Sequence, residues 1–174
     1  MVACRRYGLN IVIYNPSASP PLTHHFRSNQ NHRLAGGFFT GKYKPTPDPE
    51  TEVGSLSTTT EVGKVYQENY FNDAYFRALE LISPVIASNN LTPVEVGLRW
   101  VVHHSALKVL DGNDGIIVGA SSVKQLKETL EDIEKGPLPE EVLKVLDEAW
   151  EITRSSCPTY WHLDLKYGYD FDVK

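Results

Sequence analysis

The chain has 174 residues, is 41% hydrophobic and 22% charged, and carries a formal net charge of −5. This fits one globular domain with a real core rather than a disordered tail, and the acidic balance gives no electrostatic reason to expect nucleic acid or an anionic membrane as partner. No apolar run approaches the ~20 residues that span a bilayer, and nothing at the N-terminus reads as a signal peptide. Two widely separated cysteines, Cys4 and Cys157, are too few for a disulfide framework or a metal knuckle, so the expectation is a cytoplasmic protein with reduced thiols.

Asn10–Tyr14 is a compact β-branched run, predicted as a buried strand and closed by the turn signal Asn15-Pro16. The texture then changes. Residues 17–33, with adjacent prolines, three of the six histidines and almost no aliphatic side chains, read as a disordered insertion ahead of a glycine-rich loop at Leu34–Tyr43. A second polar stretch, Lys44–Gly63, follows.

Four amphipathic helices come next. Phe76, Leu79, Ile82 and Ile86 mark the first, with Asp73 as the expected N-cap. Thr92-Pro93-Val94-Glu95 has the pattern of a capping box with proline at the first helical position, and Val94, Leu98, Val101 and Val102 form the stripe of that helix. Between the second and third helices, Gly115–Leu130 (GIIVGASSVKQLKETL) reads as a short strand, a turn of small residues, and a helix opening directly from that turn. A helix start presents unpaired N–H groups and a partial positive charge, and small residues at Gly119, Ala120, Ser121 and Ser122 let an anion approach them. Serine caps helices generally, so this turn alone is a weak signal. The third helix carries Val123, Leu126, Leu130 and Ile133. The fourth begins after Gly136-Pro137-Leu138-Pro139 and is expected to bury Val142, Leu146, Ala149, Trp150 and Thr153. The tail beyond Ser156 is aromatic and aperiodic.

Strands alternating with helices argue an α/β fold with parallel strands. Two strands alone leave two open edges and are not a stable architecture.

Seven stretches resemble the C-terminal half of an aldo-keto reductase, the aflatoxin-aldehyde reductase branch in particular. In order they are CRRYGLNIVIYNP, LAGGFFTGKYK, ENYFNDAYFRALELI, TPVEVGLRWVVHHSAL, DGIIVGASSVKQLKETL, GPLPEEVLKVLDEAW and CPTYWHLDLKYGYDF. The resemblance implies part of a (β/α)8 barrel, with Asn10–Tyr14 as strand seven, Gly115–Val118 as strand eight, and the first six βα units absent. Residues 1–174 would then be the C-terminal portion of an NADP-dependent oxidoreductase domain. In such barrels the loops after strands seven and eight commonly bind phosphate.

For this chain the resemblance implies that NADPH lies along Asn15, Pro16, Leu34, Ala35, Gly36, Gly37, Thr40, Gly41 and Lys42. Gly119, Ser121, Ser122, Gln125 and Glu128 would surround its adenosine end and 2′-phosphate. Lys42 reads equally well as a solvated loop lysine. The tail, residues 156–174, resembles the loop that caps the substrate pocket. Tyr160, Trp161, Tyr167 and Tyr169 would then line an apolar site for a small carbonyl compound, or simply pack against the barrel wall.

Departures from the family pattern matter as much. A barrel of this kind takes about 250 residues, and the Asp, Tyr, Lys and His of family catalysis have no counterpart in this chain; His103 and His104 read as a helix-end feature instead. Relatives run from Asn-Pro straight into Leu-Ala-Gly-Gly, whereas seventeen residues separate Pro16 from Leu34 here. Their composition and clean ends suggest an unspliced intron read in frame, and the position of Met1 fits a faulty gene model or a truncated isoform. Gly54-Ser55-Leu56 replaces a Gly-Arg-Phe element, and basic residues usual near Gln67-Glu68 are missing. The resemblance therefore implies a reductase portion that is inactive alone. A non-catalytic nucleotide-binding or regulatory polypeptide, or a vestigial fragment, are the alternatives.

Overall fold

The computed structural model describes residues 2–14, 67, 70–120 and 122–157. Two three-residue strands, β1 (Val12–Tyr14) and β2 (Gly115–Ile117), lie side by side and parallel. Val12 is opposite Gly115, Ile13 opposite Ile116, and Tyr14 opposite Ile117. Period-two alternation puts Ile13 and Ile116 on the face that meets the helices, where Ile13 is buried. Val12 and Ile117 lie on the other face and are exposed.

A short helix, α1 (Val2–Arg6), precedes β1. It stops at Gly8, whose φ of 66° is the left-handed conformation that glycine adopts without strain. The Leu9 N–H donates to the Cys4 carbonyl at 2.8 Å, the wrapping bond of a glycine-terminated helix. Five residues are too few to show periodicity, which is why α1 is not legible as a helix in sequence.

Helix α2 (Asp73–Ser88) begins one residue earlier than expected. Asn72, not Asp73, is the N-cap, its side-chain oxygen accepting from the Tyr75 N–H at 3.2 Å. Asp73 is instead the first helical residue, where a carboxylate favours the positive end of the helix dipole. Helix α3 (Pro93–His103) starts as predicted, with Thr92 Oγ1 accepting from the Glu95 N–H at 3.1 Å. Only that half of the capping box forms, because the Glu95 carboxylate is turned to Arg99 and Lys135. Helices α4 (Val123–Glu134) and α5 (Glu140–Thr153) complete the main elements, and a 3-10 turn at Arg154–Ser156 follows. Among the described residues no helix is long and apolar enough to cross a membrane.

The core is one layer of helix against one face of the sheet. Ile13 shares one buried cluster with Ala78, Ile82 and Ile86 of α2, Val96, Trp100 and Val101 of α3, and Val142, Val145, Leu146 and Ala149 of α5. Helix α2 packs along α5, and α3 packs against α4. Trp150 is only half-buried, whereas Thr153 is fully buried and donates its hydroxyl to the Ala149 carbonyl at 3.1 Å.

Two polar clamps fix this layer. At the N-terminal edge of the sheet, the buried Asp114 carboxylate takes a two-pronged ion pair from Arg5. It also accepts from the N–H of Ile11 and of Lys108, each at 2.8 Å. One side chain thus ties α1, the start of β1 and the loop before β2 together. The same loop passes close to itself. A Cβ added at Gly112 would stand 2.9 Å from the Lys108 carbonyl oxygen and 2.7 Å from the Lys108 Cβ.

The second clamp holds the α4–α5 linker to α3. Arg99 donates to Glu95 Oε1 at 2.8 Å and to the Gly136 and Pro137 carbonyls at 2.7 and 2.6 Å. Lys135 pairs with both Glu95 and Asp132, which raise its pKa. Glu95 is buried, so removing its main partner leaves charge and two carbonyls poorly satisfied. Arg99→Ala is expected to destabilise the chain by about 3 kcal/mol in denaturant unfolding. Arg99→Lys should recover only part of this, because an ammonium cannot reproduce the planar fork.

Candidate functional site

Parallel register determines where a ligand could sit. Tyr14 and Ile117 are opposite one another at the ends of their strands, so the chain leaves β1 and β2 at the same edge of the sheet. The segments that follow are those carrying the predicted cofactor residues. In open and closed parallel sheets this carboxyl edge is where ligands bind.

After β2 the backbone runs through Val118, Gly119 and Ala120 to Ser122, the N-cap of α4. Ser122 is extended, with φ −150° and ψ 156°, and its Oγ accepts from the Gln125 N–H at 3.2 Å. Its carbonyl accepts from the Leu126 N–H at 3.1 Å. The amides of Val123 and Lys124 are the ones that the helix itself does not use. Among the described residues, a Cβ placed on Gly119 meets nothing within 4 Å.

The charge at this helix start is distinctive among the long helices described. Asp73, Glu95 and the pair Glu140 and Glu141 put acidic residues in the first turns of α2, α3 and α5. Helix α4 has none there and carries Lys124 instead. The Lys124 ammonium is well exposed and sits 3.7 Å from the Glu128 carboxylate one turn on, an exposed pair of small energetic consequence. Helix dipole and ammonium therefore add at this end, which is an arrangement suited to an anion. Lys124 was not among the sequence candidates. Its signal was a lysine in the first turn of a helix that lacks acids there.

Of the predicted cofactor residues, Gly119, Ser122, Gln125 and Glu128 come together at the β2–α4 junction. Asn15, Pro16, Leu34, Ala35, Gly36, Gly37, Thr40, Gly41, Lys42 and Ser121 lie outside the described residues, as do Tyr160, Trp161, Tyr167 and Tyr169 of the predicted substrate loop and the whole of residues 17–33. Ser122→Ala is expected to cost about 1 kcal/mol of stability through loss of the cap, measurable as a lowered unfolding midpoint with the fold retained.

The other groups that might suggest acid–base chemistry are engaged structurally. His103 Nε2 lies 2.7 Å from the Lys135 carbonyl, so it is the donor in that contact. His104 Nε2 accepts from the Leu138 N–H at 2.9 Å, which requires a neutral ring. Burial, assisted by the neighbouring His103 and Arg99, lowers the His104 pKa and favours that neutral form. Tyr70 and Tyr75 stack edge to face at 5.7 Å. Burial pushes the Tyr70 phenol up to about 12 and the Tyr75 phenol higher still, far from the neutral range in which a general acid works best.

The chain matches the model of the Aldo/keto reductase family over residues 3–151. It is 40% identical over 131 residues to the aldo-keto reductase pigE of Monascus ruber, covering 74% of this chain and 38% of that protein. An aldo-keto reductase of Pseudocercospora fijiensis is 35% identical over 128 residues, covering 74% of this chain and 43% of its own length. Aflatoxin B1 aldehyde reductase member 2 of Mus musculus is 31% identical over 162 residues, or 90% of this chain and 39% of the relative. The chain thus spans 38–43% of the length of these relatives.

Proposed function

The chain belongs to the aldo/keto reductase family, and from that premise we propose that it forms the last two strands of a (β/α)8 barrel and grips the phosphate end of NADPH. The observation that carries this reading is the parallel register, with Tyr14 opposite Ile117, which sends both predicted cofactor loops out from one edge. The residues at that edge suit a phosphate: the capped start of α4 has no first-turn acid, Lys124 adds positive charge, and no described residue crowds Gly119.

NADPH, when bound in such an enzyme, supplies the hydride that reduces an aldehyde or ketone to an alcohol. The part of this chain is to bind and orient. In this reading the amides of Val123 and Lys124 hold phosphate oxygens, the Ser122 hydroxyl keeps the cap while offering its hydrogen outward, and Gln125 bonds beside it. Glu128 is an acceptor only, so in this reading it takes the amino group of the adenine ring rather than a phosphate oxygen. The loop at Asn15, Pro16 and Leu34–Lys42 lies along the cofactor, and Tyr160, Trp161 and Tyr167 border the carbonyl substrate. The proton needed at the carbonyl oxygen comes, in this reading, from the family's catalytic Asp, Tyr, Lys and His, which have no counterpart in this chain.

The reading predicts that the pure 174-residue chain does not oxidise NADPH in the presence of a simple aldehyde. Steady turnover in a spectrophotometric assay, at a rate proportional to the concentration of this chain, would overturn it.

A further inference from the structure

The sequence contains two Asp-Gly dipeptides, Asp111-Gly112 and Asp114-Gly115, close together in the loop that leads into β2. An aspartate followed by glycine is open to rearrangement, because glycine has no Cβ to crowd its own amide nitrogen or restrict its backbone. That nitrogen can bond to the aspartyl Cγ and close a five-membered succinimide ring. The bond from Cγ to its hydroxyl breaks, and the hydroxyl leaves with the amide proton as one water. Water then reopens the ring at either carbonyl. Attack at the side-chain carbonyl restores aspartate. Attack at the main-chain carbonyl gives isoaspartate, in which the backbone runs through the side chain. Water is the only reactant, and the mass ends unchanged. In sequence the two dipeptides are equal candidates.

Their surroundings separate them. Asp114 is buried, and its carboxylate is held by Arg5 and by the N–H groups of Ile11 and Lys108, each at 2.8 Å. The Gly115 N–H donates to the Ile11 carbonyl at 3.0 Å as β2 begins. Both reacting groups would have to leave their partners before the ring could close, which makes local opening a prerequisite. Asp111, Gly112 and Asn113 are exposed among the described residues. There the Asp111 carboxylate makes no hydrogen bond or ion pair and adds only a weak attraction toward Arg5. The Gly112 N–H has no acceptor among the described residues. Close packing against Lys108 also requires glycine at position 112, so the reactive pair is built into the loop.

We propose that Asp111-Gly112 is a site of spontaneous isoaspartate formation in the folded chain, while the Asp114 clamp shields Asp114-Gly115 from the same reaction. Conversion adds one methylene to the main chain between Lys108 and Asp114. Those two residues are bridged twice, by the Lys108 N–H on the Asp114 carboxylate and by the Asp114 N–H on the Lys108 carbonyl at 3.2 Å. A longer path inside so short a closed loop strains both bonds, so conversion at 111 loosens the clamp.

The test is prolonged incubation of the 174-residue chain at neutral pH, folded and in concentrated urea. Proteolytic peptides are then separated by chromatography, and isoaspartate is marked by enzymatic methyl transfer from labelled S-adenosylmethionine. In the folded chain, isoaspartate at 111 is expected to exceed that at 114 at least tenfold, and in urea the two should be similar. Asp111→Glu keeps the charge but cannot form the five-membered ring, and should abolish the folded-state signal. Asp111→Asn, which closes the same ring with ammonia as the leaving group, should react at least tenfold faster at 111. The converted fraction of the wild-type chain should melt at a lower temperature than the unconverted fraction. A ratio no larger in the folded chain than in urea, conversion at 114 ahead of 111, or a folded Asp111→Asn chain that does not react would each overturn the site. Equal melting temperatures would overturn its link to the clamp.

Discussion

Trp100→Ala is expected to remove about 4 kcal/mol of stability, the largest loss expected from a core substitution among the described residues. The indole is buried within the cluster that joins Ile13 of the sheet to α2, α3 and α5. Truncation there removes a large apolar area and leaves a cavity that three helices and a strand can only partly fill, because all four are tethered through other contacts. Urea unfolding followed by far-ultraviolet circular dichroism reads the effect. A loss of under about 1 kcal/mol would mean that this helical layer is loosely packed rather than a close-packed core.

The second large effect is acid lability centred on Asp114. Its carboxyl is held well below the usual carboxylate range, first by the hydrogen-bonded Arg5 guanidinium and then by the N–H groups of Lys108 and Ile11. In the unfolded chain the same group titrates near about 3.9. A depressed native pKa means that the clamp contributes fully above that value, and that its contribution is lost as pH falls from there through the native one. His104 adds an earlier and smaller step of the same sign. Its native pKa is also lowered, so the bond from Leu138 N–H is intact above about pH 6.5 and weakens as pH falls below it.

Thermal midpoints measured from pH 8 to pH 3 should therefore decline in two stages. Asp114→Ala is expected to lower the midpoint at pH 7 by roughly 10 °C. Asp114→Asn should flatten the lower stage while leaving the upper one. A wild-type midpoint that stays constant down to pH 3 would contradict the role given to the clamp.

The helices were legible because each carries its own local signals. Thr92 and Pro93 announce α3, the spacing of Phe76, Leu79, Ile82 and Ile86 announces α2, and Ser122 opens α4 as expected. The strands were legible from β-branched runs, although each proved to be only three residues long. The polar framework was not legible. Arg5 and Asp114 are 109 positions apart, and Arg99 meets carbonyls 37 and 38 positions away. Such contacts leave no periodic trace in a single sequence. The first cap was misplaced by one residue because Asn72 and Asp73 have equal standing as N-caps, and only the backbone conformation separates them. At the site, the small-residue turn and Ser122 could be read directly, whereas Lys124 gains meaning only once the other three long helices described are seen to start with acids.

The cofactor grip is tested most directly by titrating the isotope-labelled chain with NADP+, with NAD+ as control, and following backbone amide signals by nuclear magnetic resonance. Saturable shifts are expected at Gly119, Ala120 and residues 122–125, larger for NADP+ than for NAD+, and reduced by Lys124→Glu without change elsewhere in the spectrum. A folded chain whose amides at the start of α4 do not respond to either nucleotide would contradict it.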